Sequence, residues 1–196
     1  MEAAEILEGH GYRRMGGGTR GHVLAAPDLS HVAKVFPADD VAYLSLVRYA
    51  LDHPSPHLPT VLHGPVEVEG GWAVFLERLE HLDDEYASDA HEHVGGYMLA
   101  VVNGDVRAGR EPGPGRWGHD VEASLRAVLV PLCETLMVGH GFYPDDSDGN
   151  VLLGPDGRYV LSDVLCGRSG RPYAGRVEPP HDPDLDALLR PAGPRP

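Results

Sequence analysis

The hydrophobic pattern of this 196-residue chain changes once, near residue 80, and that change limits the fold more than any other feature. Before it, short apolar runs alternate with glycine and proline turns, the pattern of short strands. Tyr12 to Met15 leads into a glycine-rich turn, His22 to Ala25 leads out of it, and His31 to Phe36 follows. Asp40 is placed to cap a helix through Val41, Leu44, Val47, Tyr49 and Leu51, which Pro54, Pro56 and Pro59 end. Val61 to Val68 and Trp72 to Leu79 read as a hairpin through Gly70 and Gly71. Residues 11–79 therefore predict the order β-β-β-α-β-β.

After residue 80 the period lengthens. Asp89 to Val102 is weakly helical, and residues 103–118 read as a loop. His119 to Val138 is the best helical stretch, with Val121, Leu125, Val128, Leu129, Leu132 and Leu136 on one stripe. Pro131 should kink it or mark its true limit. Val151 to Leu153 and Tyr159 to Leu161 predict two short strands around a Gly154–Gly157 turn. The tail from Arg168 is rich in Pro and Gly, offers one short helix at Pro183 to Leu189, and is expected to end disordered. The expectation is a single α+β domain over 1–196, strand-rich over 1–79 and mainly helical over 80–196.

The formal net charge is −14, which repels a phosphate backbone and argues against nucleic acid as a partner. A basic protein surface or a polycationic small molecule suits it better. No apolar run is long enough to span a bilayer, so no membrane partner is expected. The N-terminus lacks the order of a secretory signal, which makes the cytoplasm the expected location. Cys133 and Cys166 are too few and too far apart for a disulfide framework or a zinc site. His91 and His93 project in opposed directions on a strand or a helix, which fits a solvated face better than a ligand pair.

Of the sixteen basic residues, fifteen are Arg and one is Lys. Lys34 therefore stands where a compact ammonium is needed and a planar guanidinium does not serve. It follows Gly16-x-Gly18-x-x-Gly21-x-Val23, a spacing that lets a strand–turn–strand present backbone N–H groups to phosphate oxygens. A plain hairpin turn would carry the same glycines, and a strand Lys can be a surface residue. The stretch after Gly21 is strand-like, which disfavours a dinucleotide-binding turn. Further on, Asp145 and Asn150 are five residues apart, and Asp163 lies thirteen residues beyond Asn150 at the end of a short hairpin. A carboxylate at 145 can orient a hydroxyl and accept its proton. An amide oxygen at 150 and a carboxylate at 163 can share a magnesium ion.

Taken in order, these residues resemble the protein-kinase-like superfamily, which includes protein kinases and aminoglycoside-type phosphotransferases. The resemblance covers about residues 11–167. It implies a bilobal fold with a small β-rich lobe carrying one helix and a truncated, mainly helical second lobe. It implies ATP and Mg2+ as ligands. Gly16, Gly18, Gly21, Val23 and Lys34 would cover the phosphates, and Asn150 and Asp163 would hold the metal. Asp145, with Lys34, would be catalytic. Leu76 would take the gatekeeper place, and backbone groups of Glu77 and Leu79 would meet adenine.

The chain departs from the family in several places. Tyr143-Pro144-Asp145 replaces H-R-D, Asp163-Val164-Leu165 replaces D-F-G, and Ser147 replaces a Lys. Asp146 and Asp148 crowd the catalytic loop. No Glu falls mid-helix to pair with Lys34, and Asp40 is the nearest acid. Few residues follow Asp163, so the activation segment and most C-terminal helices are missing, as in the reduced kinases of bacterial effector or phage type. The resemblance implies a minimal protein kinase acting as a monomer on a protein Ser, Thr or Tyr. The alternatives are an aminoglycoside-type enzyme and a nucleotide-binding pseudokinase serving as an interaction module. Action inside a host cell, as an effector, is the alternative to action in the cell of synthesis.

Overall fold

The computed structural model describes residues 2–18, 20–82, 84–110, 119–145, 149–167 and 170–190, leaving aside the side chains of 84–86, 88, 89, 91 and 119–122. It is an α+β structure built on a five-stranded antiparallel sheet. The strands are β1 (Arg13–Gly18), β2 (Gly21–Ala25), β3 (His31–Pro37), β4 (Val61–Val68) and β5 (Gly71–Glu77). They lie in the order β1-β2-β3-β5-β4. A short helix, α1 (Ala3–Gly9), precedes them and had no sequence signal.

Strand alternation gives the sheet two apolar faces. Ala33 and Val35 of β3 join Leu7 of α1, Leu24 and Phe75 on one face. Val32 and Phe36 join Tyr43, Leu44 and Val47 on the other, where α2 (Val41–Asp52) packs. Helix α2 starts as expected, with the Asp40 carboxylate accepting from the Tyr43 N–H at 3.3 Å. Its opposite side, Ala42, Leu46, Tyr49 and Ala50, belongs to a second and larger core. The helix is thus apolar on both sides and serves two interiors.

That second core is mainly helical. It is formed by α3 (Asp84–Val102) and α4 (His119–Leu132), with a π-helical turn (Cys133–Gly139) continuing α4. Pro131 has no N–H to donate back along the helix, and the hydrogen-bond ladder widens to π spacing just after it. The proline therefore changes the helix type rather than ending it. Burial raises the Cys133 thiol to about 12, so this cysteine packs as a neutral group in the core. Five short strands complete this part: β6 (Glu80–His81), β7 (Tyr143–Pro144), β8 (Val151–Leu153), β9 (Tyr159–Leu161) and β10 (Leu165–Cys166). Strand β8 pairs with both β6 and β9, and β7 pairs with β10. The predicted loop at 103–118 is turn structure up to Gly109, and 111–118 lies outside the described residues.

The tail carries the short helix expected at Pro183 to Leu189 and is tied to the rest of the chain by specific hydrogen bonds. Asp52 at the end of α2 accepts hydrogen bonds from the Tyr173 hydroxyl (2.6 Å) and from the N–H groups of Arg176 and Val177 (2.8 Å each). The Gly64 N–H on the edge strand β4 donates to the Pro180 carbonyl at 3.1 Å. The chain then forms α5 (Pro183–Leu188), and Leu185, Leu188 and Leu189 pack onto the α1 side of the sheet. Prolines prevent regular pairing here, so side chains and edge groups supply the bonds. The strap also covers an otherwise open sheet edge. Residues 191–196 lie outside the described residues. Among the described residues no helix is long and apolar enough to cross a membrane.

Candidate functional site

Two backbone hydrogen bonds assemble the second half of the site. The Ser162 N–H donates to the Asn150 carbonyl at 2.8 Å, and the Asp145 N–H donates to the Val164 carbonyl at 2.9 Å. The residues flanking Asp163 are therefore fastened to Asn150 on one side and Asp145 on the other. The β8–β9 hairpin, in the register Val151↔Leu161, makes this possible by folding residue 163 back beside residue 150.

The first half comes from the sheet. Lys34 alternates with buried Val32 and Phe36 on β3, so its side chain leaves the sheet on the α2 side. Its ammonium donates to Asp163 Oδ2 at 2.7 Å, with the Lys34 side chain 12% exposed. The Tyr43 ring lies against the same ammonium, with Nζ 3.4 Å from the ring centroid.

Between these halves is a cavity of about 350 Å³. Its walls include Gly21, Val23, Lys34, Glu77, Leu79, Asp145, Asn150 and Asp163, all expected from the sequence, together with Leu76. A volume of this size suits a small organic ligand. The Asn150 Nδ2 atom is buried without a hydrogen-bond partner. Buried polar atoms are rarely left so, and an unpaired one at a cavity wall marks a place where a ligand completes the bonding.

Three expectations take a narrower form. Gly16 and Gly18 do not lie in an open turn: they pair with Val23 and Gly21 in the β1–β2 ladder. The ladder runs as far as the Gly18–Gly21 pair. Gly21 is glycine for a reason internal to the sheet, since a Cβ there would stand 2.7 Å from the Val35 carbonyl oxygen. Next, Lys34 takes Asp163 rather than Asp40 as its ion-pair partner. Asp40 also lines the cavity, but its carboxylate caps α2, with Arg20 at 3.7 Å. Burial holds the Asp40 carboxyl above the usual aspartate range. Lastly, the Glu77 N–H already donates to the Thr60 carbonyl at 3.0 Å, so it is not open to a base. Glu77 can meet one only through its carbonyl. Asp146, Ser147 and Asp148 lie outside the described residues, as does the side chain of His91.

No family model matches this chain. No curated protein matches it either.

Residue patterning did not single out Tyr43, Arg20, His81 or Cys166, which also line the cavity. Tyr43 was readable only as a helix residue three places after the cap. Its proximity to Lys34 depends on how α2 crosses β3, which periodicity does not encode.

A second cluster joins His63, His181 and Asp186, whose nitrogen and oxygen atoms all lie within 4.8 Å of one another. It does not have the chemistry of a metal site. His63 Nδ1 accepts the Asp182 N–H at 2.9 Å, so a neutral His63 carries its proton on Nε2, the atom that would have to bind the ion. The cluster instead pins the strap to β4.

Proposed function

We propose that this chain is a magnesium-dependent phosphotransferase of reduced, bilobal protein-kinase-like build. It would move the γ-phosphate of ATP to a hydroxyl of a protein Ser, Thr or Tyr. The observation that carries the reading is the meeting of Lys34 and Asp163 at 2.7 Å beside Asp145 and Asn150, on the wall of one cavity. The sheet with α1 and α2 reads as the small lobe and the helical part as the reduced large lobe.

The residues fit the ligands. Asp163 and Asn150 offer the carboxylate and amide oxygens that magnesium prefers, and a bound ion would neutralise charge on the triphosphate. Lys34 binds phosphate oxygens as a point charge. Asp145 orients the acceptor hydroxyl and takes its proton. Leu76, Val23 and Val32 give apolar contact to a base, with the Glu77 carbonyl and the Leu79 backbone at its edge. Catalysis then rests on positioning and charge neutralisation rather than on a covalent intermediate.

Transfer of labelled γ-phosphate from ATP to a mixed protein extract tests the reading. Label that appears with Mg2+ and disappears in Asp163→Ala supports it. Label on amino sugars alone would make the chain a small-molecule phosphotransferase. ATP–Mg2+ binding without turnover would make it an interaction module. Absence of both binding and label overturns the reading.

A further inference from the structure

We propose that Tyr43 is the positioning residue for Lys34, holding the ammonium over the cavity with its ring face where a helix carboxylate would otherwise do so. The inference rests on the phosphotransferase reading and adds to it a residue that the reading does not use.

Four observations carry it. Lys34 Nζ is 3.4 Å from the centroid of the Tyr43 ring, close to van der Waals contact with the face. A ring face is electron-rich and attracts a cation, the more so away from water. Both groups are sheltered: Tyr43 is 1% exposed and the Lys34 side chain 12%. The acid that caps α2, Asp40, accepts the Tyr43 N–H, and the ion-pair partner of Lys34 is Asp163 from the other half of the chain, not a carboxylate of α2. Finally, the Tyr43 hydroxyl is buried without a hydrogen-bond partner. The residue is therefore not held there by its hydroxyl, and the ring is what serves.

The arrangement matters because Asp163 has two duties. In this structure it is the ion-pair partner of Lys34. When its oxygens turn to a metal, a half-buried ammonium would lose its anchor. The ring keeps Lys34 in place through that change, and it cannot be drawn away because it does not bind metal. An uncharged holder also leaves the full positive charge of Lys34 for phosphate, whereas a carboxylate would offset it.

The single Lys of the chain makes a direct test simple. Full-length protein grown with 13Cε-lysine gives one native lysine signal. In the wild type its Hε protons should be shifted upfield by the ring current, and in Tyr43→Leu they should return to the free-lysine position. Phenylalanine at 43 keeps the ring face and is the reference for a fluorinated series. Added fluorines drain the face of electron density at nearly constant shape. ATP–Mg2+ affinity should fall stepwise along that series, to about tenfold weaker for the trifluoro ring, while the unfolding temperature stays level. Free-lysine shifts in the wild type, or an affinity that is flat with fluorine content, would overturn the inference. A ring-shifted wild-type signal that ATP–Mg2+ leaves unmoved would instead overturn the phosphotransferase reading while leaving the ring contact in place.

Discussion

Lys34 and Asp163 neutralise each other across 129 residues of chain, their nitrogen and oxygen 2.7 Å apart. On the proposed phosphotransferase reading, each therefore blocks the other's ligand. A divalent cation must displace an ammonium from Asp163, and a nucleotide must displace a carboxylate from Lys34. Binding of the two should be mutually reinforcing. Asp163→Asn separates the effects. Phosphate transfer should fall by at least about a hundredfold, because the metal site is lost. Metal-free ATP should bind about three- to tenfold more tightly, because Lys34 no longer answers to a carboxylate. Calorimetric titration with and without Mg2+ reads both, and a uniform loss of affinity would contradict the linkage.

Asp40 offers a pH test with an unusual sign. Burial, with the charge of Asp163, raises its pKa above the ordinary 3.8, against opposing contributions from the Tyr43 N–H, Lys34 and Arg20. Between 3.8 and the raised value the folded chain holds the proton more firmly than the unfolded one. Stability from this group is therefore present at low pH and lost as pH rises through its folded pKa. Asp40→Asn keeps an oxygen to cap α2 and removes the buried charge. Its Tm at pH 7 should equal or exceed that of the wild type by about 2–4 °C. The difference should vanish below pH 3.8, as differential scanning calorimetry can show.

His63 has the opposite dependence. Burial lowers its pKa from 6.5, reinforced by His181 and opposed by Asp186, Asp182 and the Pro180 backbone. Its stabilising contribution is complete above 6.5 and declines as pH falls from there through the folded value. Protonation at Nδ1 also removes the acceptor for the Asp182 N–H. His63→Asn retains an acceptor at the same place and does not titrate. The variant should lose about 1–3 kcal/mol from poorer packing against Phe75, yet show a shallower fall in stability between pH 7 and 5. Urea melts across that range compare the two slopes.

The strap has one principal anchor in Asp52, which receives three hydrogen bonds from residues 173–177. Asp52→Ala should destabilise the chain by about 1–2 kcal/mol, since the bonds are charge-assisted but partly open to solvent. Limited proteolysis should then cut within 170–182 about tenfold faster, through more frequent local opening. Unchanged cleavage there would mean that α5 alone holds the tail.

The strands, the capped α2 and the 154–157 turn were legible because each has a local cause: period-two apolar runs, an Asp cap, paired glycines. Lys34 was legible because it is the chain's single Lys, and Asp145, Asn150 and Asp163 because an amide, rare in this chain, stands at fixed short intervals from two carboxylates. What stayed hidden depends on contacts far apart in sequence. Tyr43 meets Lys34 only through the crossing of α2 over β3. The strap is a proline-rich stretch whose bonds come from Asp52, Gly64 and His63, more than a hundred residues earlier. The end of β1 was set too early, at Met15 instead of Gly18, for the reverse reason: a turn and the end of a tight ladder use the same residue type.

The double-sided α2 has a consequence for how the chain comes apart. Leu46 and Tyr49, from before residue 80, complete the helical interior, while Leu185, Leu188 and Leu189, from beyond it, pack on the α1 side of the sheet, so neither half possesses a full set of its own. Severing the polypeptide near residue 80 would yield two fragments, each lacking a wall. Heating the intact molecule should accordingly produce one cooperative calorimetric peak. The shift in pattern near residue 80 separates two styles of secondary structure inside a single folding unit.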